Sequence, residues 1–200
     1  MIAPRRRDAR RTARGRRSSS SVPPVDLDGW LAEPAVRTRN RRESPTLEAQ
    51  LWACAQTVRL RDCRVLGRLI RARIPGLRAS LTFDELFRHD PFNLLEAGPT
   101  HALSGLCGRI WTVRGDFTLL SDPVEFRSWD VPGTVRVLFA NWTEPTETGA
   151  ALVSEVRIGA VDRRAARYVR ALEPFIGAFQ GLIAVEPLSI AARRAARSEP

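Results

Sequence analysis

Between residues 102 and 158 the chain alternates in the manner of β-strands five times in succession, with only turn formers between the runs, and a single long helix pattern closes it. Residues 102–113, 117–120, 124–129, 134–142 and 150–158 read as strands. Their separators are Arg114-Gly115-Asp116, Ser121-Asp122-Pro123, Val131-Pro132-Gly133 and residues 144–149. Connections this short suit consecutive antiparallel strands, because a parallel crossover needs a dozen or more residues. Asp162 is of the N-cap type. After it Ala165, Tyr168, Leu172, Phe175, Phe179 and Leu182 recur at helical spacing. The pattern predicts a long helix with one bulky apolar face, bent near Pro174 and interrupted at Pro187.

The first half of the chain is mixed. Residues 35–42 read as a strand, with Val36 and Thr38 as its β-favouring members. Ser44 then suits an N-cap and Pro45 a first helical position. Leu47, Leu51, Cys54, Ala55 and Val58 give that helix one apolar face. A second helix after Asp62 carries Val65, Leu66, Leu69 and Ile70 as its buried stripe and stops at Pro75-Gly76, and a short one over 83–87 is closed by Asp90-Pro91. One strand, two helices, an antiparallel meander and a long helix make an α+β order. A curved sheet with one helix laid across it leaves an apolar space between them that can hold a ligand.

Composition narrows the function classes. The 200 residues carry a net charge of +10, yet all 32 basic residues are Arg, a bias that a GC-rich coding sequence produces without any selection for a partner. The charge is also uneven: residues 1–44 hold 12 Arg against 5 acids, and the rest 20 Arg against 17 acids. Residues 1–24 contain eight Arg, a Ser run and a Pro pair with hardly any apolar side chains, so a disordered tail is expected over 1–26 and a single domain over 27–200. No apolar run follows the tail arginines, so a twin-arginine export signal is not expected. The apolar runs are short and broken, so no bilayer-spanning segment is expected and the chain reads as cytoplasmic. Cys54, Cys63 and Cys107 lack C-x-x-C spacing, and with only His89 and His101 beside them neither a disulfide framework nor a metal site is expected. No P-loop or G-x-G-x-x-G fingerprint occurs, and no cofactor is expected. Nothing in the sequence sets an oligomeric state.

Three stretches carry a resemblance. Residues 35–52 run from a strand into a Pro-started helix bearing Trp52. Residues 133–142 (GTVRVLFANW) and 151–157 (ALVSEVR) look like two long central strands. Residues 162–183 (DRRAARYVRALEPFIGAFQGLI) look like a closing helix, although Glu173 stands where an aromatic usually precedes the helix proline. In these stretches the chain resembles the helix-grip superfamily, also called START-like or SRPBCC, which includes polyketide cyclase-like and lipid-transfer proteins. The resemblance implies a curved antiparallel sheet wrapped around a long C-terminal helix, with a cavity between them and no shared catalytic motif.

On that reading the cavity wall draws on Trp111, Trp129, Phe139, Trp142, Tyr168, Phe175 and Phe179, with Arg136, Glu155 and Arg157 as polar anchors. Alternation puts Glu155 and Arg157 on one face of their strand and Ser154, Val156 and Ile158 on the other. If the first face is the concave one, the pair orients a ligand; if not, it is an ion pair outside the cavity. The expected partner is a small hydrophobic molecule, lipid or polyketide-like, bound or carried. A cyclase or hydratase using Glu155 or His101 as general acid/base is the alternative. A second alternative is nucleic-acid binding through the tail, at most weak and non-specific, with Arg61, Arg64, Arg68 and Arg71 as a further contact or simply as the wet face of their helix.

Overall fold

The computed structural model describes residues 25–112 and 115–197. In chain order these form α1 (Leu27–Leu31), β1 (Val36–Ser44), α2 (Glu48–Gln56), α3 (Leu66–Arg73), α4 (Phe83–Leu86), β2 (Asn93–Gly98), β3 (His101–Arg109), β4 (Asp116–Thr118), α5 (Pro123–Ser128), β5 (Val135–Thr146), β6 (Gly149–Ala160), α6 (Arg163–Ile183) and α7 (Ser189–Arg197). The strands make one antiparallel sheet in the order β1-β6-β5-β3-β2, with β4 pairing the far end of β3 on the same edge as β2. A six-stranded sheet with a long C-terminal helix and short helices after the first strand is the α+β helix-grip architecture expected.

Local differences have physical causes. The stretch expected as a strand over 124–129 is instead helix α5, ending at Ser128: Asp122 accepts from the Glu125 N–H at 2.9 Å, Pro123 opens the first turn, and Glu125 accepts in return from the Ser121 N–H at 2.7 Å. Together these make a helix start of what the sequence presents as a turn. Ser44 does not cap α2. It is the last residue of β1, buried, with its hydroxyl 3.0 Å from that of Thr46, and the helix begins four residues later. Two elements carried no clear periodic signal: α1, capped by Asp26, and β2. Val25, packed against the core, and Asp26 therefore belong with the domain, while the rest of the expected tail, 1–24, lies outside the described residues. In α3 Leu66 and Ile70 are buried as expected, but Val65 and Leu69 are 49% and 45% exposed.

Asp162 caps α6 as expected, accepting from the Ala165 N–H, and it also takes the Gly133 N–H at the start of β5, both at 2.7 Å. The helix runs through Pro174 and passes into a π-helical stretch, Ala184–Leu188, around Pro187 before α7. From that stretch Glu186 reaches across to the first turn of α3, accepting from the Val65 and Leu66 N–H groups at 3.0 and 2.8 Å. By length and composition alone the continuous helical segment Arg163–Arg197 is apolar enough to cross a membrane, which corrects the expectation of no such segment among the described residues. In the fold its Ala165, Val169, Leu188, Ala191 and Ala195 are buried.

The sheet separates two kinds of packing. Leu103, Cys107, Leu138, Ala140, Trp142 and Val153 on one face join Leu27, Trp30 and Leu31 of α1 and Phe126 of α5 in a filled core. The other face meets α2, α3, α6 and α7 in two clusters, one around Leu51, Leu66 and Leu152, the other around Val137, Val156 and Val169.

Candidate functional site

Strand alternation and the observed register decide which side chains enter the space under α6. Phe139 pairs with Val156, and Val137 with Ile158, so these four project from one face. Above them α6 contributes Leu172, Ile176, Phe179 and Ile183, spaced three and four apart. The sides are closed by Leu66 and Ile70 of α3 and by Phe83 and Phe87 at α4. Between these walls lies a cavity of about 420 Å³. A smaller space of about 80 Å³ adjoins it, sharing Phe83, Phe87, Phe139, Val156 and Ile183, and has Ser104, Asn141 and Ser154 on its sheet side. Phe87, Phe92 and Phe139 pack mutually with ring centroids 5.3–5.5 Å apart, so the sheet side of the wall is a fixed aromatic cluster. Phe175 lines the larger cavity while being 73% exposed, which marks where it meets solvent.

Among the described residues the lining of the larger cavity is apolar apart from Arg73 and Gln180. Arg73 donates to the Thr112 carbonyl at 2.8 Å, and its guanidinium sits 5.1 Å from the centre of the Phe117 ring. Gln180 is buried, and its backbone carbonyl accepts from Asn40 of β1 at 3.1 Å.

Of the residues expected at this wall, Phe139, Phe175 and Phe179 are on it. The other seven are elsewhere. Glu155 and Arg157 lie on the opposite face, since Glu155 pairs with Ala140 and Arg157 with Leu138. There they anchor α1: the Glu155 carboxylate takes Arg157 Nε at 2.7 Å and Arg37 Nε at 2.8 Å, while Arg157 Nη1 donates to Asp28 at 2.5 Å and to the Leu31 carbonyl at 2.9 Å. Arg157 holds the Asp28 carboxyl below the usual carboxylate range, through its hydrogen bond first and its charge second. Trp142 is on that face too, its indole N–H 3.4 Å from Glu144 and its ring under Arg39. Arg136 donates to the carbonyls of Phe126 and Arg127, closing the C-terminal end of α5. Trp129 donates to the Thr134 hydroxyl at 2.9 Å, and Trp111 stacks on Tyr168 at 4.8 Å.

His101 pairs with Trp142, away from the cavity, 3.4 Å from Glu96. Neither it nor Glu155 reaches the space where an acid/base role was envisaged for them. The buried thiols of Cys63 and Cys107 are pushed up to about 12 by desolvation, which leaves them protonated and unreactive at neutral pH. Arg61, Arg64, Arg68 and Arg71 are all exposed, so they form the outer face of their segment.

The α3 and α4 contribution to the wall was missed at the sequence level. Leu66 with Ile70, and Phe83 with Phe87, each stand four apart, the spacing of one helical face. That signal marks an inward-turned face, buried at Leu66 and Ile70 and half-buried at Phe83 and Phe87, but not one that borders a hollow.

No family model matches the chain, and no curated protein matches it. Among solved structures it is similar to protein MLL2253 from Mesorhizobium loti, at 12% identity and a TM-score of 0.35 over 79% of this chain and 98% of that one. It is also similar to TTHA0849 from Thermus thermophilus, at 9% identity and a TM-score of 0.33 over 82% of this chain and all of that one.

Proposed function

We propose that this protein binds or carries a small hydrophobic molecule in the cavity between the sheet and α6, as START-like proteins do. The observation that carries the reading is a cavity of about 420 Å³ with an almost wholly apolar wall, within the ~300–1,000 Å³ range of small-molecule sites. Were such a space sealed and empty, the cost at ~24 cal/mol per Å³ would be on the order of 10 kcal/mol, as large as the whole stability of an ordinary domain. A ligand filling it would take apolar wall out of water at ~25 cal/mol per Å². On the opposite face of the sheet Phe126, Leu138 and Trp142 are at most 1% exposed.

Native mass spectrometry of protein purified from its own host, with a titration of an apolar fluorophore in parallel, tests the reading. A co-purified apolar ligand that the fluorophore competes with is the expected result. A folded protein that neither carries a ligand nor takes up the fluorophore saturably would overturn it.

A further inference from the structure

On the ceiling of the cavity one residue breaks the apolar pattern. Gln180 stands on the face of α6 that carries Ile176, Phe179 and Ile183, is 5% exposed, and its side-chain carbonyl oxygen Oε1 is buried with no hydrogen-bond partner. A buried acceptor without a donor is destabilising, and the great majority of such groups in folded proteins are paired. The rest of the residue is tied down, its main-chain carbonyl being held by Asn40. A leucine would continue the apolar face here at no polar cost. Gln180 therefore behaves as a preset acceptor in an otherwise apolar site, the pattern by which hydrophobic pockets fix ligand orientation.

Resting on the proposed cavity function, we infer that Gln180 is the polar anchor of the binding site and that the ligand is a neutral apolar molecule bearing a hydroxyl group. A hydroxyl both donates and accepts, so it pairs with the carboxamide whichever way its oxygen and nitrogen are turned. A carboxylate pairs less well. It would bring a full charge into an almost wholly apolar wall, and Arg73, the cation among the described lining residues, already donates to Thr112 and covers Phe117.

The test compares three probes of equal chain length, namely dodecanol, its methyl ether and dodecanoate, each displacing the same apolar fluorophore from the full-length protein. Dodecanol is expected to bind on the order of tenfold tighter than the ether, which keeps the chain and loses the donor. In Gln180→Leu that advantage falls to near parity, with the ether bound at least as tightly as by the wild type. Gln180→Met, unbranched and of similar length, repeats the comparison if the leucine variant does not fold, and the alcohol-to-ether ratio of the wild type needs no variant. Equal binding of alcohol and ether by the wild type overturns the anchor, as does an advantage that survives both substitutions. Tightest binding of dodecanoate overturns the neutral ligand. If the folded protein displaces the fluorophore with none of the three and never bound it, the cavity function itself falls, an outcome distinct from loss of discrimination.

Discussion

Toward α1 and α5 the sheet is sealed by two short helices, and even its charged groups are locked into pairs; toward α6 it is spanned by long helices, and a hollow remains. The covers differ in kind. Five-residue α1 and six-residue α5 are too short to be stable alone. They are held by directed polar contacts: Asp28 to Arg157, Trp30 to Glu96 at 3.2 Å, and Arg136 to the end of α5. Where β3 passes beneath α5, Gly105 lets the Phe126 ring lie directly on the strand, since a Cβ there would stand 2.6 Å from the ring. The 21-residue α6 is long enough to hold its own turns, and its polar ties to the sheet side are few: Asp162 at its start, which takes the Ala165 and Gly133 N–H groups, and the Gln180 carbonyl, which accepts from Asn40. Small covers can follow the surface of a twisted sheet closely, whereas a long helix crossing it touches the strands at fewer points and leaves space between them. The charged pairs of β6 thus sit on the face under α1 and α5, and the face under α6 is the one that borders the hollow.

Adjacent residues of β6 offer the sharpest way to break this contrast. Replacing Glu155 by Ala leaves Arg157, whose side chain is 4% exposed, without its buried partner. Removing one member of a buried pair typically costs ~3–5 kcal/mol, and a urea unfolding curve should show a loss of that order. Ligand affinity of the folded fraction should not change. Val156→Phe, one residue along, projects into the cavity instead. Overpacking costs ~1–3 kcal/mol in a filled core, and the hollow should hold the loss to the low end or below. Fluorophore binding should fall at least tenfold, the loss expected when the volume a ligand needs is occupied. If Glu155→Ala abolishes binding in folded protein, or Val156→Phe leaves it intact, the two faces do not divide the labour in this way.

Much of this division was written in strand parity. Phe139 and Trp142 are three residues apart in one strand, so they cannot share a face, and Arg136 must point away from Phe139 for the same reason. Reading the aromatic residues as one cluster ignored that constraint. Parity within β6 separates Glu155 and Arg157 from Val156 just as cleanly, but which set faces α6 depends on pairing with β5, a long-range fact absent from either strand alone. The long helix and its Asp162 cap were legible because a 3.6-residue period persists over many turns. The helix at α5 was not: a six-residue segment has too few repeats to show a period, so Asp122-Pro123 read equally well as a turn. Gln180 gave no sequence signal either, since a glutamine on a helix face is ordinary until the space around it is known.

Acid provides the gentlest probe of the same contrast. Arg157 lowers the Asp28 carboxyl on the packed side, and the N–H groups of Ala165 and Gly133 lower that of Asp162 at the start of α6. A carboxyl whose folded pKa lies below its unfolded value of about 3.9 contributes stability that is complete above that value and is lost as pH falls through the folded pKa. Urea midpoints should therefore be level from about pH 8 to pH 5 and decline below about pH 4. Asp28→Asn should flatten part of the decline. Its contribution is small, because the Asp28 side chain is 73% exposed and screened by solvent. Among the described residues the lining of the larger cavity includes no carboxylate and no imidazole. Affinity for a neutral ligand should accordingly stay constant across the acid range wherever the protein remains folded, as a fluorophore titration at a fixed denaturant-free pH series would record. A binding curve that declines in step with the urea midpoints, in protein whose far-UV circular dichroism is still native, would mean that the ion pairs under α1 shape the cavity through the sheet.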